Sequence, residues 1–182
     1  GSAPHRLYHM VPEPMAGSIL YPLNRLKAVH PEAAAKATAK YETREPLMAV
    51  RLPILNCLWN DVLHLSPIHP AKIKECLVET GCLAPPAPRR RFFVIDPAKL
   101  KPKCALYFEH SKDTRGRYDF LEEDFSLFDA AHYRELPEVP QAQRTYFIEK
   151  KRAGEKPLLW ARTPHVFYRG ELDISGVEVI DW

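Results

Sequence analysis

Short apolar runs punctuated by prolines set the rhythm of this chain. The clearest is Phe92-Phe93-Val94-Ile95, bounded by Asp96-Pro97, which predicts a buried strand. Arg6 to Val11 predicts a first strand closed by Pro12 and Pro14, with Tyr8 and Met10 on one side and His9 on the other. Val62 to Ser66 predicts a short buried strand with a polar end. Ala105 to Phe108, Leu158 to Ala161, His165 to Leu172 and Val177 to Ile180 complete the predicted strands, and Leu47 to Leu52 is β-compatible. Helical spacing is confined to fewer stretches. Ala71 to Glu79 sets Ile73, Leu77 and Val78 on one face, with Lys72, Lys74, Glu75 and Glu79 off it. His30 to Lys40 is alanine-rich, with Pro31 near its start, and Ser18 to Leu26 carries Pro22 where a first helical turn accepts it. Arg144 to Arg152 reads as a helix ended by Gly154. His110 to Tyr118 reads as an exposed loop, and Phe120 to Tyr133 as irregular or short-helical.

The order of strand, helices, strand and helix, then mostly strands predicts an α+β fold. A length of 182 residues suits one domain over residues 3–182, with Gly1-Ser2 read as an expression scar. Hydrophobic residues make up 46% of the chain, enough to bury a core. Eighteen prolines against seven glycines predict short elements joined by ordered loops. No run approaches the ~18 apolar residues of a membrane span, so no membrane partner and a cytoplasmic location are expected.

Charge changes little: 26 basic against 23 acidic residues give +3, which permits a phosphate or nucleic-acid partner without arguing for one. Cys57, Cys76, Cys82 and Cys104 include no closely spaced ligand pair, so reduced, metal-free thiols are expected. There is no phosphate-binding glycine loop, no zinc-protease helix motif and no nucleophile elbow.

The chemistry-bearing residues cluster in three places. Tyr8-His9 lies on the first predicted strand. Ile54 to Pro67 is apolar yet carries Asn56, Asn60, Asp61, His64 and Ser66, and runs into the Ala71–Glu79 helix. A polar residue at the carboxyl end of a buried strand, just before a helix, is a common binding site. Equally, Asn56, Asn60 and Asp61 are residues that fix turns through side-chain to backbone bonds. The third place is Tyr168-Arg169-Gly170-Glu171-Leu172. Arg89-Arg90-Arg91 has two readings, a phosphate contact or a solvated loop.

In succession these segments resemble the ADP-ribosyltransferase-like superfamily, in the branch of tRNA 2′-phosphotransferases and nucleic-acid-modifying ADP-ribosyltransferase toxins. Leu7-Tyr8-His9 matches that branch's opening strand, and His64-Leu65-Ser66 with the following helix matches its second motif. Phe93-Val94-Ile95-Asp96 with Lys99-Leu100 matches a hydrophobic strand that ends in an aspartate-containing turn. Met10-Val11 stands where the branch often has glycine-threonine, and residues 110–156 have no counterpart. The resemblance implies split β-sheets around a cleft, with helices mainly from the N-terminal half. It implies NAD as the substrate that supplies ADP-ribose to a macromolecular acceptor, nucleic acid or protein. Glu171 would be the catalytic carboxylate, favouring positive charge on the ribose, and Ser66 would line the nicotinamide pocket. His9, with Tyr8, His64 and Asn60, would bind the NAD; the aromatic packed on nicotinamide would be Tyr21, Tyr41 or Tyr107. Two other readings stand beside this one: an RNA 2′-phosphotransferase, which needs basic residues such as Arg6, Arg25 and Arg89–Arg91, and a non-catalytic antitoxin, immunity or adaptor protein.

Overall fold

The computed structural model describes residues 5–39, 41, 45–109 and 120–182. The predicted exposed loop at His110 to Tyr118, and Gly1-Ser2, expected to be a scar, lie outside the described residues. In chain order the elements begin with β1 (Leu7–Met10), β2 (Ile19–Leu20), α1 (Leu23–Val29), α2 (Pro31–Ala39), α3 (Glu45–Met48), β3 (Arg51–Leu52), β4 (Cys57–Leu58) and β5 (Leu63–Leu65). They continue with α4 (Pro70–Glu79), β6 (Arg91–Ile95), β7 (Ala105–Phe108), β8 (Phe125–Leu127), α5 (Gln141–Ala153), β9 (His165–Tyr168), β10 (Leu172–Asp173) and β11 (Val179–Asp181). Mixed α+β is therefore the class.

Two antiparallel sheets organise the molecule. One runs β1-β6-β11, with β1 at its edge; the other runs β5-β9-β7-β8, with β5 at its edge. The edges touch at one point. Tyr8 and Ser66 exchange backbone hydrogen bonds, Tyr8 N to Ser66 O at 3.0 Å and Ser66 N to Tyr8 O at 2.8 Å. Beyond this bridge β1 stays with β6, β5 stays with β9, and the two edges part.

The core explains why these edges meet where they do. Leu7, Leu65 and Val166 are fully buried in one apolar cluster with Phe93, Ile95 and Tyr168, drawn from both sheets. Truncating a residue such as Leu65 to alanine costs about 2–5 kcal/mol in such a setting. A second cluster centres on Phe108 and Phe167, and a third joins α4 to α5 through Ile73, Leu77 and Phe147. Among the described residues no helix is long and apolar enough to cross a membrane.

Five local expectations are corrected. Ser18 to Leu26 is not one helix: Ile19–Leu20 forms β2, and α1 starts only at Leu23, after Pro22. Leu158 to Ala161 forms turns rather than a strand; Leu159 and Trp160 pack on the α4–α5 cluster without a ladder partner. His165 to Leu172 is not one strand: β9 ends at Tyr168 and β10 starts at Leu172, pairing with β2 instead. Gly170 makes that break possible, since a Cβ there would meet the Tyr168 ring at 2.8 Å. Glu171 thus sits on the connection. Leu47 lies in α3, with only Arg51–Leu52 extended, and Phe125–Leu127 is a strand where irregular structure was expected.

Candidate functional site

The parting edges frame a cleft of about 440 Å³, within the range of small-molecule sites. His9 and Met10 of β1 line one wall, and His64, with Val62 and Leu63, lines the other. Counted from the Tyr8–Ser66 bridge, the antiparallel register sets Met10 against His64, so the bridge itself brings these two strands to the cleft. Tyr21 and Leu23 at the start of α1, Lys36 on α2, and Tyr41 close the remaining side, and Arg89, Arg90 and Arg91 form the approach to β6.

The histidines are held by their own chain. His9 Nδ1 donates to the Met10 carbonyl at 2.6 Å, which makes Nε2 the acceptor in the neutral ring. His64 Nε2 donates to the Trp59 carbonyl at 2.9 Å, and its ring packs at 4.9 Å from those of Trp59 and Phe167. Asn60 is 1% exposed, and its Nδ2 has no hydrogen-bond partner among the described residues. Asp61 beside it is fully engaged, accepting from Asn24 Nδ2 at 2.9 Å and from Leu58 N at 2.7 Å. The two readings of this turn thus divide between neighbours: Asp61 fixes structure, while Asn60 lies buried in the cleft wall.

The lining is cationic. Lys36 and Arg89–Arg91 stand against the single carboxylate of Glu13. Arg89 is joined to Asp181 at 3.0 Å, an exposed pair worth little in stability. A concave apolar floor with a basic approach and buried donors suits an anionic ligand carrying flat rings.

The other expected site residues lie elsewhere. Tyr8 is 5% exposed and turns away from the cleft; its hydroxyl donates to Glu135 at 2.8 Å, and its ring meets His69 edge-on. Burial and that carboxylate push its pKa well above the ordinary tyrosine value. Ser66 is also buried, and its hydroxyl accepts from Ile68 N at 3.1 Å and donates to Ile68 O at 3.2 Å. Neither lines the cleft. Glu171 is half-exposed outside the lining and pairs with Arg25 at 3.4 Å. The β2–β10 register, continued by one residue, sets Glu171 opposite Tyr21, which does line the cleft. Of the aromatic candidates, Tyr21 and Tyr41 belong to the cleft and Tyr107 does not. Arg6 pairs with Asp96 at 3.7 Å, away from the lining.

Lys36 and Met10 also line the cleft, although no sequence motif marks either as a site residue. Their shared cleft depends on α2 packing on α1, and α1 on the 59–61 turn, contacts that no local pattern announces. No family model, curated protein or solved structure matches this chain.

Proposed function

We propose that the cleft is an NAD site and that the chain is an NAD-dependent transferase, moving ADP-ribose to a macromolecular acceptor. The observation that supports this reading is that His9 and His64, from two of the strands that carry the resemblance, line one cleft together with Arg89–Arg91. In this reading the arginines meet the pyrophosphate, His9 accepts from the adenosine-side ribose, and Tyr21 or Tyr41 packs on the nicotinamide ring.

The reaction breaks the bond between nicotinamide and ribose. The electron pair leaves with neutral nicotinamide, and positive charge develops on the ribose. A nucleophilic atom of the acceptor then forms the new bond and gives up its proton. Glu171 is the carboxylate assigned to the developing charge. Its pair with Arg25 is exposed and weak, so exchange of Arg25 for a ribose hydroxyl is inexpensive. Ser66 contributes through its backbone, by fixing β1 and hence His9.

A second reading, ligand binding without turnover, draws on one observation: neither Glu171 nor Ser66 lines the cleft. Incubation of the protein with NAD, and chromatographic detection of released nicotinamide, separates the two. Release above the no-protein control supports the transferase; NAD binding without release supports the binding protein.

A further inference from the structure

We infer that Asn60 and Arg90 form a pair of ligand-facing donors that makes the cleft select a phosphate-bearing, anionic nucleotide. This rests on the cleft being the ligand site proposed above, but it concerns which atoms choose the ligand.

Asn60 Nδ2 and Arg90 Nε are both buried without a hydrogen-bond partner among the described residues. Both residues line the same cleft. Asn60 lies on the 59–61 turn that leads into β5, and Arg90 directly precedes β6, so each sheet supplies one of them. Buried polar groups are almost always paired in native proteins, and an unmet donor carries its full desolvation cost. Two such donors in one cavity are therefore unusual, and both ask for the same thing. Neither an amide NH₂ nor a guanidinium Nε–H can accept, so the complementary atoms are acceptor oxygens.

Arg90 differs from its neighbour. Arg89 already has Asp181, whereas Arg90 has no ion pair among the described residues. Its guanidinium lies 5.4 Å from the Trp182 ring centroid, and Nη1 is 3.8 Å from the Met10 sulfur. These soft contacts hold the group in position without neutralising it. With Lys36 and two further arginines around it, a phosphate oxygen is the acceptor that meets both charge and hydrogen bond.

The test is calorimetric titration of the full chain with ADP, using adenosine as the uncharged control. ADP should bind at least about tenfold more tightly than adenosine, as charge-assisted bonds require. Asn60→Leu and Arg90→Gln should each weaken ADP by about tenfold or more, and should weaken ADP more than adenosine. Asn60→Leu also removes the unmet donor, so its melting temperature should stay level or rise; a structural asparagine would give a clear fall. Arg90→Lys keeps the charge and loses the Nε donor, so a partial loss of ADP affinity is expected, and it serves if Arg90→Gln does not fold. Equal binding of ADP and adenosine, or full ADP affinity in the Asn60 and Arg90 variants, overturns the inference. ADP binding that is lost in the variants, in a protein that never consumes NAD, upholds the donor pair and rejects the transferase. Unaltered NAD turnover in both variants does the reverse.

Discussion

Asn24 Nδ2 donates to Asp61 Oδ1 at 2.9 Å, and this bond ties α1 to the turn that carries Asn60. The other Asp61 oxygen accepts from Leu58 N at 2.7 Å. One carboxylate thus fixes the spacing between the two walls that hold Leu23 and Asn60 in the cleft.

Asp61→Ala should therefore lower stability by about 1–3 kcal/mol, because it leaves two donors without a charged acceptor. Asn24→Ala should cost about 1 kcal/mol, the ordinary worth of one bond. Urea denaturation of the three proteins checks this. Equal midpoints for wild type and Asp61→Ala would show that the bond holds nothing in place.

Ser66→Ala should cost about 1 kcal/mol, since the hydroxyl closes the turn onto Ile68. Any ligand binding in the cleft should remain within about threefold of wild type, because the bridge to Tyr8 uses backbone atoms only. A large loss of affinity with unchanged stability would assign the hydroxyl directly to the ligand.

Much of this architecture was legible because it depends on local pattern. Pro12 and Pro14 close β1, Asp96 and Pro97 close β6, and Gly154, at φ 69°, ends α5, so these boundaries follow from residue chemistry. The α4 helix buries Ile73 and Leu77 on one face, as its spacing predicts, but Val78, expected beside them, is exposed and Cys76 is buried in its place. What was not legible depends on partners distant in sequence. Phe125–Leu127 becomes a strand because β7 lies beside it, whereas Leu158–Ala161 turns to pack Leu159 and Trp160 on the α4–α5 cluster. The site divides in the same way. His9 and His64 stand out as polar residues on apolar strands, whereas Ser66 and Tyr8 carry equally chemical side chains that burial and their bonds to Ile68 and to the distant Glu135 absorb. Residue type suggested a role for each; only the sheet split separates them.

Burial raises the pKa of the Cys57 and Cys76 thiols, so little thiolate forms at pH 8. Cys82 and Cys104 are only half-buried. Titration with a thiol-reactive disulfide reagent should give two faster and two slower groups, at least about tenfold apart, with the slow pair released on denaturation. A single rate for all four would contradict this packing.

Tyr107 should make the protein sensitive to alkali. Burial, aided by Glu109, pushes its pKa from 10.0 up to about 12. The folded state then keeps a proton that the unfolded state gives up. Its contribution is present in full below the unfolded value of 10.0 and is lost as pH rises through about 12. Tyr8 and Tyr133 shift in the same direction. Stability measured by denaturant should fall across this window, and Tyr107→Phe should fall less steeply; parallel curves would contradict the assignment.

Nicotinamide release from NAD by wild type and by Glu171→Gln tests the proposed turnover of NAD in the cleft between the sheets, with Glu171 at its side as the carboxylate. Glutamine keeps the shape and removes the charge. The rate should fall by about 10²-fold or more, while NAD affinity changes far less, because the charge acts on the transition state. Wild-type protein that releases no nicotinamide, or a Glu171→Gln variant that releases it at the full rate, would contradict the proposal.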